Sequence, residues 1–122
     1  MIEIRSLTEL NMASLERVAG GYASDSQYVV RYESAEDHIS FDLQLVRLDQ
    51  PYVKQFDYDD DTLQRYERLL NVGYSFGAYD EDRLVGLIIG EPDDWNRSLW
   101  VLEFHVVDAY RKEGLGKQLM EC

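Results

Sequence analysis

Glu103 and His105 are separated by one residue in Leu99-Trp-Val-Leu-Glu-Phe-His-Val-Val107. In an extended strand that spacing sets both side chains, with Val107, on one face. A carboxylate and an imidazole so placed can share the movement of a proton. Glu103 has two readings. Hemmed in by Val, Leu and Phe, its acid form would be favoured and its pKa raised; on a solvated sheet face it is a surface charge. A lone histidine in a strand is by default a packed or surface residue, and that is the reading for His105. Metal ligation has little support, because His38 and His105 lie far apart and no helical pairing of ligands accompanies them.

After Asp108-Ala-Tyr110 comes Arg111-Lys-Glu-Gly-Leu-Gly-Lys117. Gly114 and Gly116 fall where a chain entering a helix exposes backbone N–H groups with no intrahelical acceptor. Positions without a side chain let an anion approach that backbone, and the helix dipole favours a phosphate there. A phosphate loop of the NTPase kind needs a glycine five residues before the Gly-Lys pair and Ser or Thr after it; Arg111 and Gln118 stand there instead. A dinucleotide fingerprint has only Gly114 and Gly116 correctly spaced, and Gly-x-Ser-x-Gly is absent.

The elements around these residues read in order. Ile2 to Leu7 alternates as a first strand. Thr8 is a plausible N-cap for a helix with Met12, Leu15, Val18 and Ala19 on one stripe, stopped by Gly20-Gly21. Tyr22 to Val30 reads as irregular around Ser24-Asp25-Ser26. Ile39, Phe41, Leu43 and Leu45 alternate with polar residues as a half-buried antiparallel strand ended by Pro51. Thr62 to Asn71 carries Leu63, Tyr66 and Leu70 at helical spacing, with Asp61 and Gln64 resembling a capping box. Ser75 to Tyr79, Arg83 to Gly90 and the strand of Glu103 are joined by short polar turns, which predicts an antiparallel meander. Trp95, Trp100 and the nine tyrosines are core and rim residues.

The chain has 122 residues, 45% of them apolar, which suits one modest domain over residues 1–122. No long apolar run is present, which argues against a membrane span or a secretory signal. Cys122 is the only cysteine, so no internal disulfide forms and a reducing, cytoplasmic setting is expected. Twenty-four acidic side chains face twelve basic ones. That balance argues against non-specific nucleic-acid binding and is compatible with a cationic small molecule. Residues 33–61 hold nine acids and two bases, a net −7 of the chain's −12. These acids are either solvated charges at a helix start, the favoured reading, or an anionic wall for an amine.

Val106-Val107-Asp-Ala-Tyr-Arg111-Lys-Glu-Gly114-Leu-Gly116 resembles the acyl-CoA signature of the GNAT N-acetyltransferases, (Arg/Gln)-x-x-Gly-x-(Gly/Ala) just after a strand. Arg31-Tyr-Glu33, Pro51-Tyr52 with the acidic run, and Trp95-Asn-Arg97 look like the streptothricin acetyltransferases within that superfamily. The resemblance implies an α/β (α+β) GNAT acyl-CoA N-acyltransferase fold, a mostly antiparallel sheet flanked by helices. It implies transfer of acetyl from acetyl-CoA to a primary amine of a cationic small molecule, such as a streptothricin-like antibiotic or a polyamine. A non-catalytic acyl-CoA-binding module and a protein or peptide N-acetyltransferase are the alternatives. By the same resemblance Val106 and Val107 pair with the pantetheine arm, and the backbone of Arg111, Lys112, Glu113, Gly114, Leu115, Gly116 and Lys117 cradles the pyrophosphate. Glu103 is the candidate base or water relay. In many relatives the carboxylate falls at positions matching Trp100 or Leu102, which have no acid–base chemistry, and a bulge would change the facing. Family members continue past this point with further strands and a helix carrying an Asn and a Tyr. The expectation is therefore an N-terminal portion of the fold, its sheet completed by more chain or by a second copy, and poorly active alone.

Overall fold

In the computed structural model, which describes residues 1–122, the chain runs β1 (Ile2–Ser6), α1 (Met12–Ala19), β2 (Tyr22–Ser34), β3 (Ile39–Lys54), α2 (Asp60–Leu70), β4 (Phe76–Asp80), β5 (Arg83–Asp93), β6 (Ser98–Val106), a single 3-10 turn (Asp108–Tyr110) and α3 (Leu115–Met120). The contacts divide these into two units, residues 1–20 with 56–122, and residues 21–55. The architecture is α+β, as expected. No helix is long and apolar enough to cross a membrane.

The larger unit is built on an antiparallel sheet in the order β1-β4-β5-β6. The apolar run of β5 explains its central place, since a strand covered on both faces needs apolar residues at odd and even positions. Leu87 and Ile89 pack with Leu15 and Val18 of α1 and Tyr66, Leu69 and Leu70 of α2. Val85 and Ile88 pack on the opposite face with Leu115 and Leu119 of α3. Leu15, Leu87 and Ile89 are fully buried, and truncating such a residue to Ala costs about 2–5 kcal/mol.

Both helix caps differ from expectation. Asn11, not Thr8, caps α1 by accepting from Ser14 N–H at 2.8 Å. Asp59 caps α2 by accepting from Thr62 N–H at 2.7 Å, two residues before the expected Asp61. In each case the Asx residue immediately before the helix has the extended backbone a cap requires. Asp60 and Asp61 lie in the first turn, where the dipole favours them.

The smaller unit is the β2–β3 hairpin. The expected loop at Ser24-Asp25-Ser26 is a slip of register inside a strand. Ser24 pairs with Tyr52 and Ser26 with Arg47, and Ser24 Oγ donates to Ser26 O at 2.7 Å. Pro51 falls in that irregularity within β3 rather than ending it, as proline in a sheet requires. On one hairpin face Tyr28 opposes Leu45, Val30 opposes Leu43 and Tyr32 opposes Phe41; all six are exposed.

Candidate functional site

The register of β6 decides what its side chains reach. Ile89 pairs with Glu103 and Gly90 with Val101, so Leu102 is an extra residue, a β-bulge. Leu102 therefore turns to the same layer as Glu103, packing against the cluster of α1 and α2. Beyond the bulge alternation resumes. Glu103, His105 and Val107 face the α1/α2 layer, while Val106 packs in the α3 layer and Phe104 lies against Gly116.

Glu103 is the anionic centre of this layer. Tyr66 OH donates to its Oε1 at 2.6 Å, Tyr58 OH to Oε2 at 3.0 Å, and His105 Nε2 to Oε2 at 2.5 Å. Its side chain is 11% exposed and that of His105 is 17%. Burial pushes the Glu103 carboxyl up, but the hydrogen bonds it accepts from His105, Tyr66 and Tyr58 outweigh burial and hold it below the ordinary range. The raised pKa read from apolar neighbours is thus reversed, because flanking residues along a strand do not reveal donors arriving from a helix. Tyr58 and Tyr66 are pushed up, first by burial and then by the charge and hydrogen bond of Glu103. The Phe56 ring lies 5.7 Å from the His105 ring.

Beside β6 and the turn into α3 lies an open groove of about 450 Å³, within the range of small-molecule sites. Phe104, His105, Val106, Tyr110, Arg111, Lys112, Gly114, Leu115 and Gly116 line it. Val107, Glu113 and Lys117 do not. Val107 N–H donates to Val85 O at 2.9 Å inside the sheet. By antiparallel alternation, Phe104 and Val106 direct their backbone groups to the open edge of β6. The Val106 carbonyl accepts from Arg111 Nε at 2.9 Å, and Arg111 also pairs with Asp108 at 2.6 Å.

The turn into α3 depends on left-handed backbone at Lys112 (φ 66°) and Gly114 (φ 84°). Gln118 N–H is the first to bond within the helix, to Gly114 O, which leaves the N–H groups of Leu115, Gly116 and Lys117 ahead of the ladder. Gly116 serves packing as well as access: a Cβ there would stand 3.3 Å from the Phe104 ring. No three His, Cys, Asp or Glu side chains gather where they could hold a metal ion.

Comparisons with known proteins identify the family and the fold. A family model described as the acetyltransferase (GNAT) family matches residues 34–122. The chain belongs to the GNAT acetyltransferase family. The crystal structure of nourseothricin acetyltransferase is similar at 28% identity and a TM-score of 0.61, over 98% of this chain and 62% of that one. A protein described as a streptothricin acetyltransferase from Bacillus anthracis str. Ames, solved with acetyl coenzyme A, shares the fold at 18% identity and a TM-score of 0.57, over 99% of this chain and 65% of that one. The chain thus spans less than two thirds of either. No curated protein matches it.

Within this GNAT chain the signature residues Arg111, Gly114 and Gly116 all line the groove. Tyr58, Tyr66 and Phe56 were not singled out by sequence. One signal was present for Tyr66: it sits on the apolar stripe of α2, and a buried tyrosine hydroxyl needs a partner. Trp95 and Trp100 are surface residues, 84% and 59% exposed.

Proposed function

We propose that residues 1–122 act as a GNAT domain that transfers acetyl from acetyl-CoA to a primary amine of a cationic small molecule of the streptothricin type, in the cytoplasm. The observation that carries this reading is the position of His105. It lines the groove bounded by the signature turn, and it bonds to Glu103, whose other partners come from α2 and the segment before it. One residue thereby connects an anion-binding turn to a buried proton-active cluster.

In this reading Val106 N–H meets the extended pantetheine arm at the open edge of β6. Arg111 and the turn Lys112-Glu113-Gly114, with the N–H groups of Leu115, Gly116 and Lys117, receive the pyrophosphate. Glu103 supplies the negative charge on the acceptor side, where an ammonium group must arrive and lose a proton. The likeness to nourseothricin acetyltransferase supports an amine-bearing antibiotic as acceptor.

The test is calorimetry of the protein with CoA beside an assay of thiol release with acetyl-CoA and nourseothricin. Binding with slow turnover on the antibiotic is expected. Binding without turnover on any amine supports a non-catalytic module, and turnover on peptides alone supports a protein acetyltransferase.

A further inference from the structure

Glu103 is an unsuitable direct base. Its two oxygens already accept from Tyr66, Tyr58 and His105, and those bonds favour its charged form and weaken it as a proton acceptor. His105 is placed differently. An ionised carboxylate offers no proton, so the nitrogen facing it, Nε2, carries the ring N–H. In the neutral ring the lone pair then lies on Nδ1. That atom has no hydrogen-bond partner within the chain, yet no unpartnered side-chain polar atom is sealed from solvent. Nδ1 is therefore not sealed from solvent, and it belongs to a residue that lines the groove.

We infer that His105 Nδ1 is the proton acceptor for the attacking amine, and that Glu103, fixed by Tyr58 and Tyr66, is the positioning group that holds the ring in the Nε2–H tautomer. The inference rests on the acetyl-transfer reading and assigns its base. Nδ1 takes one proton from R–NH3⁺, and the imidazolium so formed stays bonded to the Glu103 carboxylate through Nε2–H. The freed nitrogen lone pair forms the C–N bond at the thioester carbonyl carbon. The C–S bond breaks with its electron pair going to sulfur. The nitrogen loses its second proton, the thiolate gains one, and the proton held on Nδ1 passes to solvent. The sum is R–NH3⁺ and acetyl-CoA giving R–NH–acetyl, CoASH and H⁺. The arrangement follows the logic by which a buried carboxylate orients a catalytic imidazole.

The deciding experiment compares wild-type protein with His105→Gln and Glu103→Gln. Glutamine at 105 can still donate to Glu103, but its amide oxygen is far too weak a base to take the proton that Nδ1 takes. His105→Gln is expected to lower kcat on nourseothricin by roughly 10²–10³-fold, the scale of general-base catalysis, with KM for acetyl-CoA unchanged. Methoxyamine, unprotonated at neutral pH, is expected to be acetylated by His105→Gln at close to the wild-type rate, a rescue that a merely structural histidine would not give. Nitrogen NMR of the ring is simple to assign with only two histidines in the chain. It is expected to show the Nε2–H tautomer in wild type and a mixture in Glu103→Gln. A wild-type tautomer with the proton on Nδ1, or His105→Gln turning over the antibiotic within a few-fold of wild type, overturns the assignment of the base. Wild-type protein that acetylates no amine overturns the acetyl-transfer reading itself.

Discussion

Tyr66 on α2 donates a 2.6 Å hydrogen bond to Oε1 of Glu103 on β6. This bond joins helix to sheet through a charge buried in the α1/α2 layer. A hydrogen bond to a charged acceptor contributes about 1.5–3 kcal/mol, because losing the donor leaves the acceptor's desolvation uncompensated. Tyr66→Phe is therefore expected to lower unfolding stability by about that amount. The longer 3.0 Å bond from Tyr58 makes Tyr58→Phe the milder change. Urea unfolding measures both. A double-mutant cycle of Tyr66→Phe with Glu103→Gln is expected to show coupling, as groups in one network do not add.

Alkaline titration should separate these tyrosines from the exposed ones. Burial and the neighbouring carboxylate raise Tyr58 and Tyr66 above their ordinary value of 10.0. A raised folded-state pKa gives stability that is fully present below the unfolded value and is lost as pH rises beyond it. Stability is expected to fall from pH 10 upward. In phenolate absorbance two of the nine tyrosines should ionise later in wild type than in Glu103→Gln. Their ionising in step with the exposed tyrosines would contradict the network.

The acid side has the opposite sign. Glu103 is held below the ordinary glutamate range, so its contribution is present above the unfolded value and is lost as pH falls through the folded one. Acid unfolding of Glu103→Gln is expected to be less steep than that of wild type over this window, read by circular dichroism at constant ionic strength.

Much of this layer was legible. The shared face of Glu103, His105 and Val107 follows from alternation, and it survives because the bulge at Leu102 lies before all three. The glycine-punctuated turn was legible because Gly114 needs a left-handed backbone that few other residues adopt. What stayed hidden depends on distance in the chain. Nothing local to Glu103 announces hydroxyl groups arriving from Tyr58 and Tyr66, and a count of apolar neighbours gave the wrong sign for its pKa. β2 was missed although Tyr28, Val30 and Tyr32 alternate, because Ser24-Asp25-Ser26 has the composition of a loop and the geometry of a strand irregularity.

The acidic run before α2 can be separated into cap and surface charge by substitution. The Asp59 carboxylate is lowered by the hydrogen bonds it receives from Thr62, whereas Asp61 lies in the first turn without a side-chain cap bond. Asp59→Ala is expected to lower the melting temperature more than Asp61→Ala, since only the first frees a helix N–H. If instead Asp61→Ala raises KM for a cationic acceptor with stability unchanged, the anionic-wall reading of this run is favoured.

Gly114 gives the sharpest test of the turn. Its φ of 84° is left-handed, and a Cβ there would meet no atom within 4 Å. The penalty of alanine at 114 is therefore in the backbone, about 1–2 kcal/mol for an L-residue in this region. The chain relieves it by rotating the turn, which re-aims the N–H groups of Leu115 and Gly116. Gly116→Ala differs: position 116 is helical, alanine improves helix propensity by up to about 1 kcal/mol, and the cost is a small shift of the Phe104 ring. Gly114→Ala is thus expected to weaken CoA binding about tenfold, the equivalent of about 1.4 kcal/mol, by calorimetry. Gly116→Ala is expected to change unfolding stability little. Equal CoA affinity in wild type and Gly114→Ala would mean that the left-handed turn shapes the fold without holding the ligand.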